Sequence, residues 1–432
     1  MLAYIGIIFV FIMPSAQRYS LLYNFSSLGI IQVSSFLLSL IVIPYVLRIV
    51  GADGFGVIAV AQVLMFYLSV ITDYGFNRTA IRDIAIYKND KTKTSKIFFT
   101  VLASKFLICI LCFVVLLVLI WIVPLFRENF ILYLLAFSFV IGQVALVNWF
   151  FQGVEKMQYM ALASLFSRVL FVALVLLFIK EKNDAALYIF FMGAGNFVAG
   201  IASIYTVIRM YKLQFIKPSR ADIAYELKEG WAVTASNLSM TSIQYIGIFI
   251  LRLFTNDLIV GYYSIAEKIY FAMKLMLDVF SQVAYPRVCR LILEGIEKVI
   301  SFFKKVYVPF LGMVVLGCSL IFLLAGPIIY FLVGYQHDQS AFLLRVLCIA
   351  AIIACLNIPA CLVLLAGDHK KNYLRVFTIG TLINIIVNVA LAPLLEAKGT
   401  VLSVIITELI ITVGLYREVF RLYHIKDVKG IE

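Results

Sequence analysis

The sequence predicts an all-α integral membrane protein, and three observations carry that prediction: composition, the recurrence of apolar runs long enough to span a bilayer, and the alternation of basic loops. Of 432 residues, 64% are hydrophobic and only 14% charged, with a mean hydropathy of +1.05. A soluble domain is nearer half apolar and a quarter charged. A membrane β-barrel would alternate apolar and polar residues in short segments, which these continuous runs do not.

A bilayer core of about 30 Å takes roughly 20 apolar residues as a helix. On that basis we expect twelve transmembrane helices, near residues 24–46, 55–73, 97–123, 130–150, 159–179, 185–208, 231–251, 257–283, 306–325, 341–366, 373–394 and 399–416. Met1–Met13 is apolar but short, and it lacks the basic start and small-residue cleavage site of a signal peptide. Residues 1–20 are therefore read as an N-terminal extension.

The basic residues alternate across these spans. If the segment before the first span is cytoplasmic, the outer loops hold Arg48, Arg127, Lys180, Lys182, Arg252 and Lys398. Most of the other lysines and arginines fall in cytoplasmic loops and the tail, as the positive-inside rule requires. Both termini are then cytoplasmic. The net charge of +13 is explained by basic loops beside anionic membrane lipid, so nucleic acid is not expected as a partner. The outer loops are too short for an external catalytic domain.

The second half resembles the first. At an offset of 205, Gly56 falls on Gly261, Ala61 on Ala266, Gln62 on Glu267, Asp73 on Asp278 and Arg82 on Arg287. Two six-helix lobes, 21–213 and 231–432 with its tail, are expected as a parallel repeat joined by a cytoplasmic linker at 214–230. Such two-lobed membrane proteins are mostly transporters, with the site between lobes near the midplane.

Charge inside spans is costly and tends to face a water-filled cavity or a partner. The basic residues so placed are Lys105, Arg168, Lys268, Lys274 and Arg345, and the acids are Asp73, Glu267, Asp278 and Glu408. Glu267, Lys274 and Asp278 share one helical face, with Lys274 and Asp278 spaced to pair. Two readings stand for the cations: structural pairing or snorkelling, or a cationic cavity for an anionic head group. Asp73, Glu267 and Asp278 are candidates for coupling, and Arg78, Arg82 and Arg287 for a cytoplasmic gate. Asp73 and Asp278 are the stronger of these, because a topology anchor needs basic charge and has no need of the repeated aspartate.

No cofactor or metal is expected. Cys109 and Cys112 lie within a span with no His or carboxylate close in sequence, and His337, His369 and His424 lack ligand spacing.

Several segments carry a family resemblance: "GADGFGVIAVAQ", "DYGFNRTAIRDIA", "NWFFQGVEKMQY", "GYYSIAEKIY" and "SQVAYPRVCRL". They are similar to the O-antigen flippases, of the polysaccharide-transport family in the MOP exporter superfamily. The resemblance implies a MATE-like fold with a central cavity opening alternately to each side. It also implies a substrate, an oligosaccharide repeat on undecaprenyl pyrophosphate, moved across the bacterial inner membrane and driven by an ion gradient. Other polysaccharide-assembly proteins would be partners. Two rivals remain open. One is a multidrug exporter of the same fold, against which the numerous in-span cations weigh. The other is a membrane-bound polymerase or acyltransferase, for which His337–Asp338 is the only outward His–acid pair.

Overall fold

The computed structural model describes residues 15–335 and 337–429, with side chains over 42–422 except Arg78, Ala232, Ser236, Ser239, Met240, Ile243 and Gln336. Much of the expected extension, and the side chains of most of the first expected span, lie outside the described residues. Every regular element described is helical: α1 Ser15–Asp73, α2 Phe76–Tyr87, α3 Lys91–Ile122, α4 Pro124–Glu128, α5 Phe130–Ala136, α6 Ser138–Ala145, α7 Asn148–Gly153, α8 Met157–Phe178 and α9 Ala185–Tyr211. Then come α10 Arg220–Phe254, α11 Asp257–Glu294, α12 Ile296–Phe302, a π-helical turn Phe303–Tyr307, α13 Val308–Leu323, α14 Ala325–Val333, α15 Asp338–Ala366, α16 Lys370–Leu395 and α17 Ala397–Lys429.

Among the described residues, nine helical stretches are long and apolar enough to cross a membrane. The chain is thus a multi-pass membrane protein. Helices α10 and α11 stand where spans seven and eight are expected, and at 35 and 38 residues they have the length. Charge keeps α11 out of the apolar set, since it carries Glu267, Lys268, Lys274 and Asp278.

The breaks follow local chemistry. Helix α1 is bent at Gly51, whose φ of 76° lies in the left-handed region where a side chain is disfavoured. At its end Tyr74 and Gly75 are both left-handed, and the chain restarts as α2. Arg82, expected in a loop, is therefore helical: Phe76, Ala80 and Ile84 form a buried stripe at helical spacing while Arg82 is exposed. Helix α3 opens with Asp90 as N-cap, its carboxylate accepting from the Lys93 amide at 3.0 Å. Helix α11 continues past Pro286, so Arg287, also expected in a loop, is in its last turns.

The described chain forms two compact units. The first takes in α1 up to Val50 and residues Ala61–Thr241; the second takes in Gly51–Val60 and the chain from Ser242. In the first, α9 packs on α6 and α8 through a small-residue seam. A Cβ on Gly142 would lie 2.6 Å from the Gly193 carbonyl, and one on Gly200 would meet Ala145 at 2.5 Å. Close backbone approach of this kind is how membrane helices gain packing energy, since lipid offers no hydrophobic drive between them. In the second unit, α15 packs against both α11 and α17.

The tightest crossing lies within the second unit. A Cβ on Gly56 would sit 1.8 Å from the Asp257 carbonyl oxygen, and one on Gly261 would sit 1.8 Å from the Ala52 carbonyl oxygen. These four positions are related by the 205-residue offset, and the contacts are reciprocal. Gly56→Ala or Gly261→Ala must push two helix backbones apart, and we expect a loss of about 1–3 kcal/mol. Gly312→Ala, with nothing within 4 Å, should melt as the wild type does. Melting of the three purified variants checks this, and equal behaviour of all three would contradict it.

Candidate functional site

The polar groups inside the spans sort into two clusters, one in each unit. In the first, Lys105 of α3 is 2% exposed, and its ammonium donates to Asp73 Oδ1 at 2.7 Å. A buried ammonium without a counter-charge is too costly to hold, so the aspartate at the end of α1 compensates it. Two residues proposed for different roles, phosphate binding and coupling, are thus partners. Arg168 of α8 lies near the Tyr188 phenol, which is also hydrogen-bonded to Gln62. Arg168 has no ion-pair partner among the described residues. Next to it, Ser167 Oγ lies 2.5 Å from Asn196 Oδ1.

In the second cluster Lys274 does not pair directly with Asp278, the i+4 partner its spacing suggests. Its ammonium donates instead to Glu408 Oε1 of α17 at 3.0 Å. The physical reason is support: the Tyr270 hydroxyl donates to the same oxygen at 3.3 Å, and Asn357 of α15 donates to Oε2 at 2.9 Å. A carboxylate with three donors is better satisfied in a low dielectric than one with a single donor. The Tyr270 ring centroid is also 5.6 Å from the ammonium. Asp278 stays within electrostatic range of Lys274.

Glu267, one turn before Tyr270, is 2% exposed and lies beside Tyr263 and Lys268. Its Oε2 has no hydrogen bond among the described residues. A polar seam between α16 and α17 continues the cluster: Asn384 donates to Thr407 and Thr400 donates to Asn388, both at 3.0 Å.

The remaining nominees are dispersed. Arg345 Nε donates to the Phe322 carbonyl near the end of α13, at 3.4 Å, where a cation complements the helix dipole. Arg287 lies near Glu294 in α11. The side chain of Arg78 lies outside the described residues.

Spacing alone missed Tyr270, Asn357, Asn384 and Asn388. The asparagines were detectable in principle, because an amide inside a spanning run is nearly as conspicuous as a charge.

A third polar group lies beyond the apolar spans, where α2, α3 and α10 meet. Arg82 Nε donates to Asp83 at 2.9 Å, and Lys96 pairs with Asp222 at 2.8 Å. Glu226 is buried there. Burial, with Asp83, Glu229 and Asp222 adding to it and Arg82 opposing, pushes its carboxyl up to about 7.

These features define a polytopic helical membrane protein with charge held inside its bundles, as transporters have. A family described as "Polysaccharide biosynthesis protein" matches residues 21–292, and the chain belongs to that family. A protein of Escherichia coli (strain K12) described as "Putative O-antigen transporter" is 26% identical over 401 residues, covering 92% of this chain and 96% of that protein. A protein of Shigella dysenteriae with the same description is 27% identical over 408 residues, covering 92% and 99%. The expected resemblance to O-antigen flippases of the MOP superfamily is borne out. Among solved structures, the lipid II flippase MurJ in an inward closed conformation matches with a TM-score of 0.72 at 14% identity, over 90% of this chain and 87% of that one. An inward-facing MATE-family multidrug transporter of the MOP superfamily matches at 0.71 and 15%, over 91% and 96%. These likenesses establish the fold.

Removing one member of a buried pair strands the other. Asp73→Asn should cost on the order of 3 kcal/mol, and Asp73→Asn with Lys105→Met should recover most of that loss. Melting of the purified variants checks both; a double variant as unstable as the single one would contradict the pairing. Glu226 generates a pH dependence. A carboxyl raised in the folded state favours that state while protonated, so its contribution is full below the ordinary carboxyl range and is lost as pH rises to 7 and above. The melting temperature should fall between about pH 5 and pH 8, and Glu226→Gln should flatten that slope.

Proposed function

We propose that this protein flips an undecaprenyl-pyrophosphate-linked oligosaccharide repeat unit across the bacterial inner membrane. Twelve spans in two six-helix lobes would rock about the substrate, with both termini cytoplasmic. The sugar would occupy the aqueous cavity and the polyprenyl chain would stay in lipid. Membership of the polysaccharide biosynthesis family supports the substrate class, as do the O-antigen relatives. The reciprocal Gly56–Asp257 and Gly261–Ala52 contacts support the parallel repeat, since a two-fold axis along the membrane normal generates such pairs.

The observation that carries the reading is Arg168, a guanidinium within a span with no carboxylate partner among the described residues. Guanidinium suits a phosphate because its planar fork donates two parallel hydrogen bonds. Lys268, beside Glu267, is a second candidate cation. Lys105 and Lys274 would join in by exchange: an entering pyrophosphate competes with Asp73 or Glu408 for the ammonium. A displaced carboxylate then gains affinity for a proton, which offers a route to ion coupling without any further site.

A multidrug exporter is the second reading, favoured by Glu267, whose buried Oε2 has no hydrogen bond among the described residues and would suit an organic cation. Complementation of a flippase-deletion strain separates the two. Arg168→Ala should abolish surface polysaccharide at normal protein level, Arg168→Lys should retain part, and drug susceptibility should not change. Full display with Arg168→Ala would sink the cationic-site reading. Raised drug susceptibility on deletion, with intact polysaccharide, would favour the exporter.

A further inference from the structure

A second cationic feature lies in the first unit, away from the in-span clusters. The turn between α2 and α3 and the end of α9 line an open recess of about 370 Å³, formed by Lys88, Asn89, Lys91, Thr94, Tyr211 and Lys212, with Met210 and Leu213 beside them. Three lysines therefore converge on one recess.

The local acids do not balance them. Asp90 is committed to capping α3, where it accepts from the Lys93 amide at 3.0 Å and faces the Lys93 ammonium at 4.0 Å. Glu155 comes within 3.8 Å of Lys88, but its side chain is 71% exposed, and so exposed a pair contributes little. Lys91 and Lys212 have no ion-pair partner among the described residues. Like charges brought together this way repel unless an anion joins them.

The recess is built rather than incidental. Lys212 is the C-cap of α9 and has a left-handed backbone, φ 49°, where glycine is the usual residue. The Leu213 amide donates to the Ile208 carbonyl at 3.1 Å, and the Gln214 amide donates to Ser95 Oγ at 3.1 Å, which together fix the loop against α3. The Thr94 hydroxyl donates to the Tyr87 carbonyl at 2.8 Å and fixes the other wall. Tyr211 is held edge-on to Phe150, ring centroids 5.1 Å apart.

We propose that this recess binds the phosphate of an anionic phospholipid head group. The ligand chemistry follows from three lysines and the Asn89 amide lining one recess, a donor set for phosphate oxygens. The source follows from position. The apolar run of α3 begins at Ile97 and that of α9 ends at Ile208, so the recess lies where apolar surface gives way to charge. Its surroundings include exposed apolar side chains, Met210 and Phe215, the latter 74% exposed. Basic recesses between spanning helices at that level suit lipid head groups. Acyl chains would lie along α3 and α9.

The test uses purified full-length protein, phosphatidylglycerol as probe and native mass spectrometry as readout. Wild type should retain phosphatidylglycerol in preference to phosphatidylcholine. Lys88→Gln, Lys91→Gln and Lys212→Gln combined should weaken retention at least about tenfold. Lys298→Gln, Lys304→Gln and Lys305→Gln combined remove the same charge elsewhere and should leave it intact. Equal retention by wild type and the first variant would overturn the proposal, as would equal loss in both variants. Displacement by free glycerol phosphate as effective as by the lipid itself would assign the recess to a soluble phosphate and overturn the lipid source.

Discussion

The cost of holding charge in a low dielectric governs this structure. Each lysine within a span must find an anion or water, and two of them show how the helices supply an anion. Lys105 meets Asp73 at 2.7 Å, and Lys274 meets Glu408 at 3.0 Å. Each pair joins helices distant in sequence, α1 with α3 and α11 with α17. The pairs therefore act as cross-links within their bundles as well as neutralising charge. Their stability is conditional. A pair that just offsets its desolvation cost is easily traded for another of similar strength.

That conditional stability connects structure to function. In the proposed flippase a pyrophosphate, which brings more negative charge than a carboxylate, would replace Asp73 or Glu408 as the partner of a buried ammonium. Arg168, with no carboxylate partner among the described residues, would be the first to engage. The freed carboxylate would then be an isolated buried charge and would take up a proton. In the proposed mechanism substrate binding and proton binding would be two sides of one exchange, opposed by the hydrogen bonds that Tyr270 and Asn357 give Glu408.

The class of fold, the nine apolar spans among the described residues and the identities of the charged residues within them were legible in the sequence, because each depends on composition over a window of one helix. Partnership was not. Lys274 and Asp278 have the spacing of a pair on one helix, yet Glu408, on a helix far along the chain, is the better-supported acceptor. No local pattern carries that information. The stretch after Asp73 was legible in part. Its basic residues suggested a loop, while Phe76, Ala80 and Ile84 already spelled an amphipathic helix. Arg287 was misjudged for a different reason: the expected span stops at 283, but the helix runs on across Pro286 to Glu294.

Affinity reads out the proposed exchange of a carboxylate for pyrophosphate. Binding of undecaprenyl pyrophosphate to the purified protein should be compared between wild type, Glu408→Gln and Lys274→Met. Binding should be tighter when Glu408 is neutralised, since the ligand's competitor for Lys274 is gone, and weaker when Lys274 is removed. Weaker binding in Glu408→Gln, or no change in either variant, would contradict it.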